Sequence, residues 1–531
     1  MSSDQSPGTL EELALTTQAA TKPSHELQEG PIRSSELASK KKLWKFISFP
    51  VVLTFLVLTL VFTLGHGLVG DPDIWWHLHN AEHLIQHHGL PGFDTYSFTV
   101  PGHFWMNHEW LAELPYYAAW KILGLRGIDA LSIATLSLIF LGVLYLSYQE
   151  CKNYKAAVVA TACAIFLGRG AFGPRTILFG YAYLVVLLII LQSIQRKGRA
   201  PLWLIPPLFC VWVNTHGSWF IGMIVFSIIA VGGLIGLKWG MIDSTCWTTS
   251  QRKKLLLTWG ASLAALFVNP FGWRLVVYPL DLAFRQKVNI EHVEEWVSLN
   301  FHDVRGKFVI VLIIILLVSS LVRPRRWTWA ELGVTLFALY SGLTYVRFLI
   351  LLGIVLAPIL AKTLDFVPPY RPELDTPVLN SVAIFLMIAG VAYYRPREAQ
   401  LQNTVDAWYP HQAVSYLQAQ SVTGSVVNYY IWGGYINWKD PNLKIFIDGR
   451  ADIFEYGGVF EDYLSLLQLE EPERILDRYH AQYVLMPHHE PLTYVLEHDS
   501  KWKTVYSDRA CVLFERERAK GEYPQGEQHS N

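Results

Sequence analysis

The chain has 531 residues, with 43 Lys and Arg against 44 Asp and Glu and a formal net charge of -1. Only 16% of the residues are charged and 52% are hydrophobic, whereas an average soluble protein is about a quarter charged. These values exclude a disordered chain, a fibrous repeat and an ordinary soluble enzyme, and the near-neutral charge offers no basic face for nucleic acid. Five cysteines are too few for a disulfide scaffold. Cys163 and Cys210 lie inside apolar runs and Cys511 stands alone, so all read as small buried hydrophobes.

Residues 1–39 are rich in Ser, Thr, Gln and Glu and lack apolar periodicity, so a disordered cytoplasmic tail is expected over 1–45. Lys40, Lys41, Lys42 and Lys45 then precede an apolar run from Phe46 to Val69. This run is longer than a signal-peptide core and lacks a small-residue cleavage site, so it reads as an uncleaved first span with a cytoplasmic N-terminus. Further apolar runs follow at 127–147, 156–168, 176–194, 202–214, 218–237, 255–268, 307–322, 328–345, 348–361 and 378–394. The expected fold is an α-helical multi-pass membrane bundle of about 11 transmembrane helices over 46–394.

Loop charge gives an independent check on this topology. Alternate loops carry Lys152 and Lys155; Arg196, Lys197 and Arg199; Arg252, Lys253 and Lys254; and Arg323, Arg325 and Arg326. Every basic loop falls on the cytoplasmic side. The unusual segments fall on the outer side: loop 70–126, the 169–175 and 214–218 turns, loop 269–306, Tyr345–Arg347, and everything after Arg395. Residues 395–531 are expected to form an extracytoplasmic α/β domain. It alternates a helix at Trp408–Gln418, strands at Ser425–Tyr430 and Lys444–Asp448, a helix at 472–479, a strand at Tyr483–Met486, and a helix–strand–strand sequence to Glu515.

The first outer loop opens GDPDIWWHLHNAEHL and later reads NHEWLAELPYY. Asp71 suits a helix N-cap and Pro72 the first turn, with Ile74, Leu78, Ala81 and Ile85 as the apolar stripe of a helix lying at the membrane interface. Asp71 or Asp73 either caps this helix or faces a cavity, where it would serve as a general base or bind a divalent cation. Asp73 and His77, spaced i,i+4, would complete such a metal set with Asp71. Eight of the 18 histidines fall between His66 and His108, a density that ordinary hydrogen bonding at an interface also explains. His108-Glu109 is either a second acid/base pair or a helix start.

Outer basic residues are few. Arg169 and Arg175 flank the GRGAFGPR turn, and Arg347 ends a span in SGLTYVRFL. An arginine beside apolar spans must snorkel or hold an anion, and its planar guanidinium suits phosphate. His216 in VNTHGSW, with Asn214 and Asn269, is a further polar outer-end position. In the tail, DGRAD offers Asp448, Arg450 and Asp452 at a strand end, as binding residues or as a structural Asp–Arg pair.

The order GDPDIWWHL, NHEWL, VNTHG, VNPFGW, YVRF, WGGY and DGRAD on such a bundle resembles the GT-C glycosyltransferase superfamily. That superfamily includes the protein O-mannosyltransferases, the lipid A aminoarabinose transferases, the oligosaccharyltransferase catalytic subunit and the RgtA/B/C/D-like bacterial proteins. The resemblance implies an inverting hexosyl- or pentosyltransferase of the bacterial inner membrane, with its tail domain periplasmic or extracellular. It further implies a polyprenyl-phosphate sugar donor bound by Arg169, Arg175, Arg347 and His216. Asp73, or Asp71 one register away, would deprotonate the acceptor with His108 and Glu109 nearby, and a divalent cation (Mg or Mn) would join if Asp71, Asp73 and His77 bind one. The Asp-Glu pair of the aminoarabinose and mannosyl enzymes is replaced here by Asp-Pro-Asp, and the WWD motif of oligosaccharyltransferase is missing. Two other classes fit the hydropathy: a transporter or flippase, marked by a charged path through the bundle, and a non-catalytic assembly protein, marked by a first loop packed shut.

Overall fold

The computed structural model describes residues 47–243 and 246–517, so the expected N-terminal tail lies outside the described residues. All eleven apolar runs are helical. Six helices are long and apolar enough to cross a membrane: Leu125–Cys151, Tyr154–Ala171, Ile177–Lys197, Val304–Val322, Val346–Thr363 and Pro377–Tyr394. Others are short. Phe49–Gly65 has 17 residues, about 26 Å at 1.5 Å per residue against a hydrocarbon core of about 30 Å.

The bundle exposes what a water-soluble protein would bury. Val311, Ile314, Leu317, Val318 and Leu321 face outward on Val304–Val322, as do Val378, Leu379, Val382, Phe385 and Leu386 on Pro377–Tyr394. Apolar contact in so continuous a strip suits lipid and not water. Inside, Leu125–Cys151, Tyr154–Gly168 and Leu349–Thr363 pack together around Phe140, Ile165, Leu351 and Leu352.

After Arg395 the chain folds into helices around a five-stranded sheet. The strands are β1 (Gly424–Asn428), β2 (Leu443–Ile445), β3 (Tyr483–Met486), β4 (Trp502–Ser507) and β5 (Val512–Arg516), in the order β2-β1-β3-β5-β4. β2, β1 and β3 run parallel, and β5 is antiparallel to both β3 and β4. The helix expected over Trp408–Gln418 runs from His411 to Ala419, and a further helix, Glu398–Trp408, precedes it. Pro410 removes a backbone donor and holds Tyr409 extended, which breaks the helix there. The strand expected over Lys444–Asp448 pairs only through Ile445 before the backbone turns into the DGR loop.

The first long loop, within residues 70–126, belongs to this sheet. Ser97 bridges Ile445; the Phe98 amide donates to the Ile445 carbonyl at 3.1 Å and the Ile445 amide to the Tyr96 carbonyl at 3.2 Å. The loop therefore extends the parallel edge beyond β2 and ties the tail domain to the bundle. This arrangement also corrects the reading of the Asp73–His87 helix. Ile74, Trp75, Trp76, His77, Leu78, Asn80 and Ala81 are all buried, whereas Ile85 is exposed. The helix is sandwiched between Trp110–Leu123 and the tail's Gly433–Lys439 helix, not laid on a membrane surface.

Candidate active site

A cavity of about 730 Å³ lies where one end of the helical bundle meets the first loop and the tail domain. Asp71, Asp73, Glu109, Arg175, His216, Glu295, Arg347 and Asp452 all border it. One wall is apolar: Phe220, Ile221 and Ile224 come from Trp219–Gly232, and Phe337 and Tyr340 from Trp329–Thr344.

Asp71 accepts from the Asp73 amide at 3.1 Å and from Arg175 Nε at 2.6 Å; it stands one residue ahead of the expected cap, because Pro72 occupies the N-cap and the helix begins at Asp73. Arg175 also pairs with Glu295, so two carboxylates neutralise its single charge. Asp73 accepts a hydrogen bond from the Trp76 indole at 3.1 Å and keeps a face open to the cavity. Burial raises its pKa, as does the neighbouring Asp71 charge. His77, the Trp76 bond and Arg175 offset only part of this, leaving it at about 7. That value suits a base working near neutral pH.

Close backbone approach creates this environment. A Cβ on Gly449 would stand 1.9 Å from Asp73 Oδ1, and one on Gly434 would stand 3.2 Å from the Pro72 carbonyl oxygen. The glycines of WGGY and DGR thus let the tail domain seat directly on the Asp-Pro-Asp turn. Beside that contact Arg450 is buried. Its Nε donates to Asp448 at 2.9 and 3.0 Å. Its Nη2 lies 2.8 Å from Asp448 and its Nη1 2.8 Å from Asp94, at ion-pair distance but off hydrogen-bond alignment. Asp94 belongs to the first loop, so this triad clamps the loop to the tail domain.

Behind Asp73, His77 places Nδ1 3.1 Å from Glu113 and Nε2 3.4 Å from Glu109. Burial opposes its charge, yet the Glu113 bond and the Glu109, Glu113 and Asp73 charges outweigh that and raise its pKa. Carboxylates at both nitrogens favour its protonated form. His216 is the opposite case. Burial holds it down at about 4; the Ser218 amide donates to Nδ1 at 2.9 Å, so Nε2 carries the proton toward Glu109 at 3.2 Å. Burial disfavours charge on Glu109, but His108, His216, His77 and the Thr176 bond overcome it and keep the carboxyl below its usual range. His108 Nε2 lies 3.7 Å from Glu109.

Arg347 stacks over Trp296, 4.3 Å from its ring centre, and its Nε is buried without a hydrogen-bond partner. It makes no ion pair among the described residues; the Glu295 carboxylate feels its charge at longer range. Of the four positions expected to hold a donor phosphate, Arg347, Arg175 and His216 reach the cavity. Arg169 does not: it is exposed and lies off the lining, because the short 3-10 turn Arg169–Ala171 carries it outward. Arg175 and His216 already have polar partners, so only Arg347 presents an uncommitted donor.

The expected cation set does not assemble. Among the described residues no three His, Cys, Asp or Glu side chains stand so as to hold a metal ion. Asp71 is spent on Arg175 and His77 on two glutamates, which leaves Asp73 alone of the expected Asp71, Asp73 and His77. Sequence reasoning missed Glu295, Trp296 and Tyr278, all in loop 269–306. The acidic-aromatic EHVEEW run was the signal available there. It left Asp452 open, and the structure brings that carboxyl into the cavity 3.5 Å from the Tyr278 hydroxyl; burial raises it to about 6.

No family model and no curated protein matches the sequence. Solved structures do match. The oligosaccharyltransferase of Archaeoglobus fulgidus, solved with a tethered acceptor peptide containing the NVT sequon, superposes over 83% of this chain and 69% of its own with a TM-score of 0.51 and 13% identity. The chain has the GT-C fold. The archaeal oligosaccharyltransferase AglB from Archaeoglobus fulgidus, in complex with an inhibitory peptide and a dolichol-phosphate, gives a TM-score of 0.49 at 12% identity, covering 83% and 69%. The ArnT protein of Cupriavidus metallidurans, bound to undecaprenyl phosphate, gives 0.44 at 15% identity, covering 88% and 97%.

Proposed function

We propose that this protein is an integral membrane glycosyltransferase. It would transfer a hexosyl or pentosyl unit, with inversion, from a polyprenyl-phosphate donor to an acceptor at the outer face of the bacterial inner membrane. The observation that carries this reading is one cavity shared by a carboxyl poised near neutral, an uncommitted guanidinium and an apolar wall of membrane helices. The GT-C fold supports it.

In this mechanism the isoprenoid lies along Phe220, Ile224, Phe337 and Tyr340, and its phosphate meets Arg347. Asp73 takes the acceptor's proton as the acceptor oxygen attacks the anomeric carbon. The bond from that carbon to the phosphate oxygen breaks, and polyprenyl phosphate leaves with its negative charge on Arg347. Arg175 and Asp71 position Asp73; Glu109, His77, His108 and His216 set the field behind it. We further propose that all eleven apolar helices lie in the membrane, with the N-terminus cytoplasmic and the tail domain periplasmic.

A transporter would need a polar path along the bundle, whereas Phe140, Leu351, Leu352 and Val355 fill its middle. A non-catalytic assembly role would suit a closed first loop, but Asp73 opens to the cavity. The test is mass spectrometry of the species that copurifies with the protein. An isoprenoid phosphate that is present in wild type and depleted in Arg347→Ala is expected. A wild-type preparation without one, and without affinity for added undecaprenyl phosphate, overturns the proposal.

A further inference from the structure

A second cavity, of about 370 Å³, lies at the opposite end of the bundle. Its lining includes Ser319, Arg323, Arg325, Arg326, Trp327 and Lys362. Arg323 follows the Val304–Val322 helix, and Trp327 stands just before Trp329–Thr344, whose other end delivers Tyr345 and Arg347 to the active-site cavity. Sixteen helical residues at 1.5 Å each set the two cavities about 24 Å apart.

Charge does not balance here. Lys362 reaches Glu331 at 2.7 Å and also Glu150; Arg325 reaches Glu331 at 3.0 Å, Arg196 reaches Glu150 at 3.0 Å, and Arg323 reaches Asp365 at 2.5 Å. Arg326 and Lys238 both pair with Asp243. Six cations therefore share four carboxylates. Arg325 is held flat over Trp327, 4.6 Å from the ring centre. Its Nη2 serves Glu331, while its Nη1 is buried with no hydrogen-bond partner. Leaving a buried guanidinium donor unpaired is costly, a cost that an anion in the cavity would remove.

We propose that this cavity binds a phosphate group, with Arg325 Nη1 donating to one oxygen and Arg323 and Lys362 flanking the others. A tetrahedral anion can reach three diverging cations at once, which a planar carboxylate does less well. Leu321 and Val322, next to Arg323, are 80% and 72% exposed, so apolar surface adjoins the basic mouth. A lipid headgroup and phosphate from solution present the same chemistry to this cavity, and the test below separates them.

The test uses the full-length protein in phosphatidylcholine nanodiscs, melted with phosphatidic acid in the bilayer or with inorganic phosphate in the buffer. A ligand that binds only the folded state raises the melting temperature, and a rise of several degrees with either probe is expected. Response to phosphatidic acid alone assigns a headgroup; response to both assigns phosphate from solution. Arg325→Gln should abolish the rise, Arg325→Lys should retain part of it, and Arg347→Ala, altered only in the distant cavity, should retain all of it. Should Arg325→Gln fail to fold, Arg323→Gln replaces it, with a weakened response expected. No rise in wild type, an undiminished rise in the glutamine variant, or loss of the rise in Arg347→Ala overturns the proposal.

Discussion

Asp73→Asn separates stability from chemistry. In the folded protein burial and the Asp71 charge raise Asp73 from 3.8 to about 7, roughly three units at about 1.4 kcal/mol each. The folded state thus prefers the protonated acid. Stability from this group is complete below pH 4 and is lost as pH rises through about 7, to a ceiling of about 4 kcal/mol that Asp71 shares. Asparagine mimics the protonated acid at every pH. Melting curves of both proteins in nanodiscs should nearly coincide at or below about pH 4, separate progressively between about pH 4 and pH 7, and leave the variant several degrees more stable, with no further change, above that. Sugar transfer by wild type should rise with a midpoint near pH 7, while the more stable variant transfers nothing. A melting difference that ignores pH, or residual transfer by Asp73→Asn, would refute the assignment of Asp73 as a strained, buried base.

Three further outcomes follow from the geometry. Arg347→Ala removes charge-assisted hydrogen bonds of about 1.5–3 kcal/mol, so affinity for undecaprenyl phosphate in a titration should fall roughly tenfold to a hundredfold; unchanged affinity would place the phosphate elsewhere. Gly449→Ala puts a carbon 1.9 Å from Asp73 Oδ1, and displacing that carboxyl by about 1 Å should lower kcat about a hundredfold with the circular dichroism spectrum preserved. Asp448→Asn leaves the buried Arg450 with half its counter-charge. It should cost about 3–5 kcal/mol and make the first loop sensitive to protease between Asp94 and Val100, read by limited proteolysis and a melt.

The apolar helices were legible because their signal is local: long apolar runs. Tyr483–Met486 was equally plain, four apolar residues between turns. What failed depended on partners distant in sequence. The Asp73–His87 stripe fits a membrane interface as well as a protein sandwich, and only the Gly433–Lys439 helix on its other face decides between them. Arg169 and Arg175 flank the same turn and look alike as sequence. Asp71 and Glu295 take Arg175, while a 3-10 turn carries Arg169 outward, and neither event has a signature in the GRGAFGPR run. Asp71, Asp73 and His77 have plausible metal spacing, but Arg175, Glu109 and Glu113 claim two of the three.

The same long-range logic explains why a membrane bundle with an outer domain should join them so tightly. Asp73 exposed to water would hold a pKa near the ordinary aspartate value of about 3.9 and be a weak base. The carboxyl becomes useful only when the Gly449 backbone lies against it and buries it beside the Asp71 charge; burial and that charge together outweigh the Trp76 bond, which pulls the other way. That contact is secured by Arg450 bridging Asp448 of the tail domain and Asp94 of the first loop, with Tyr96 and Trp105 against its guanidinium face. A triad whose two carboxylates lie off the cavity lining, with Arg450 at its edge, thereby controls the basicity of the carboxyl that faces the cavity. Weakening the clamp should lower the midpoint of the pH–activity profile toward ordinary carboxylate values. Losing catalytic residues directly would lower the rate and leave that midpoint where it is.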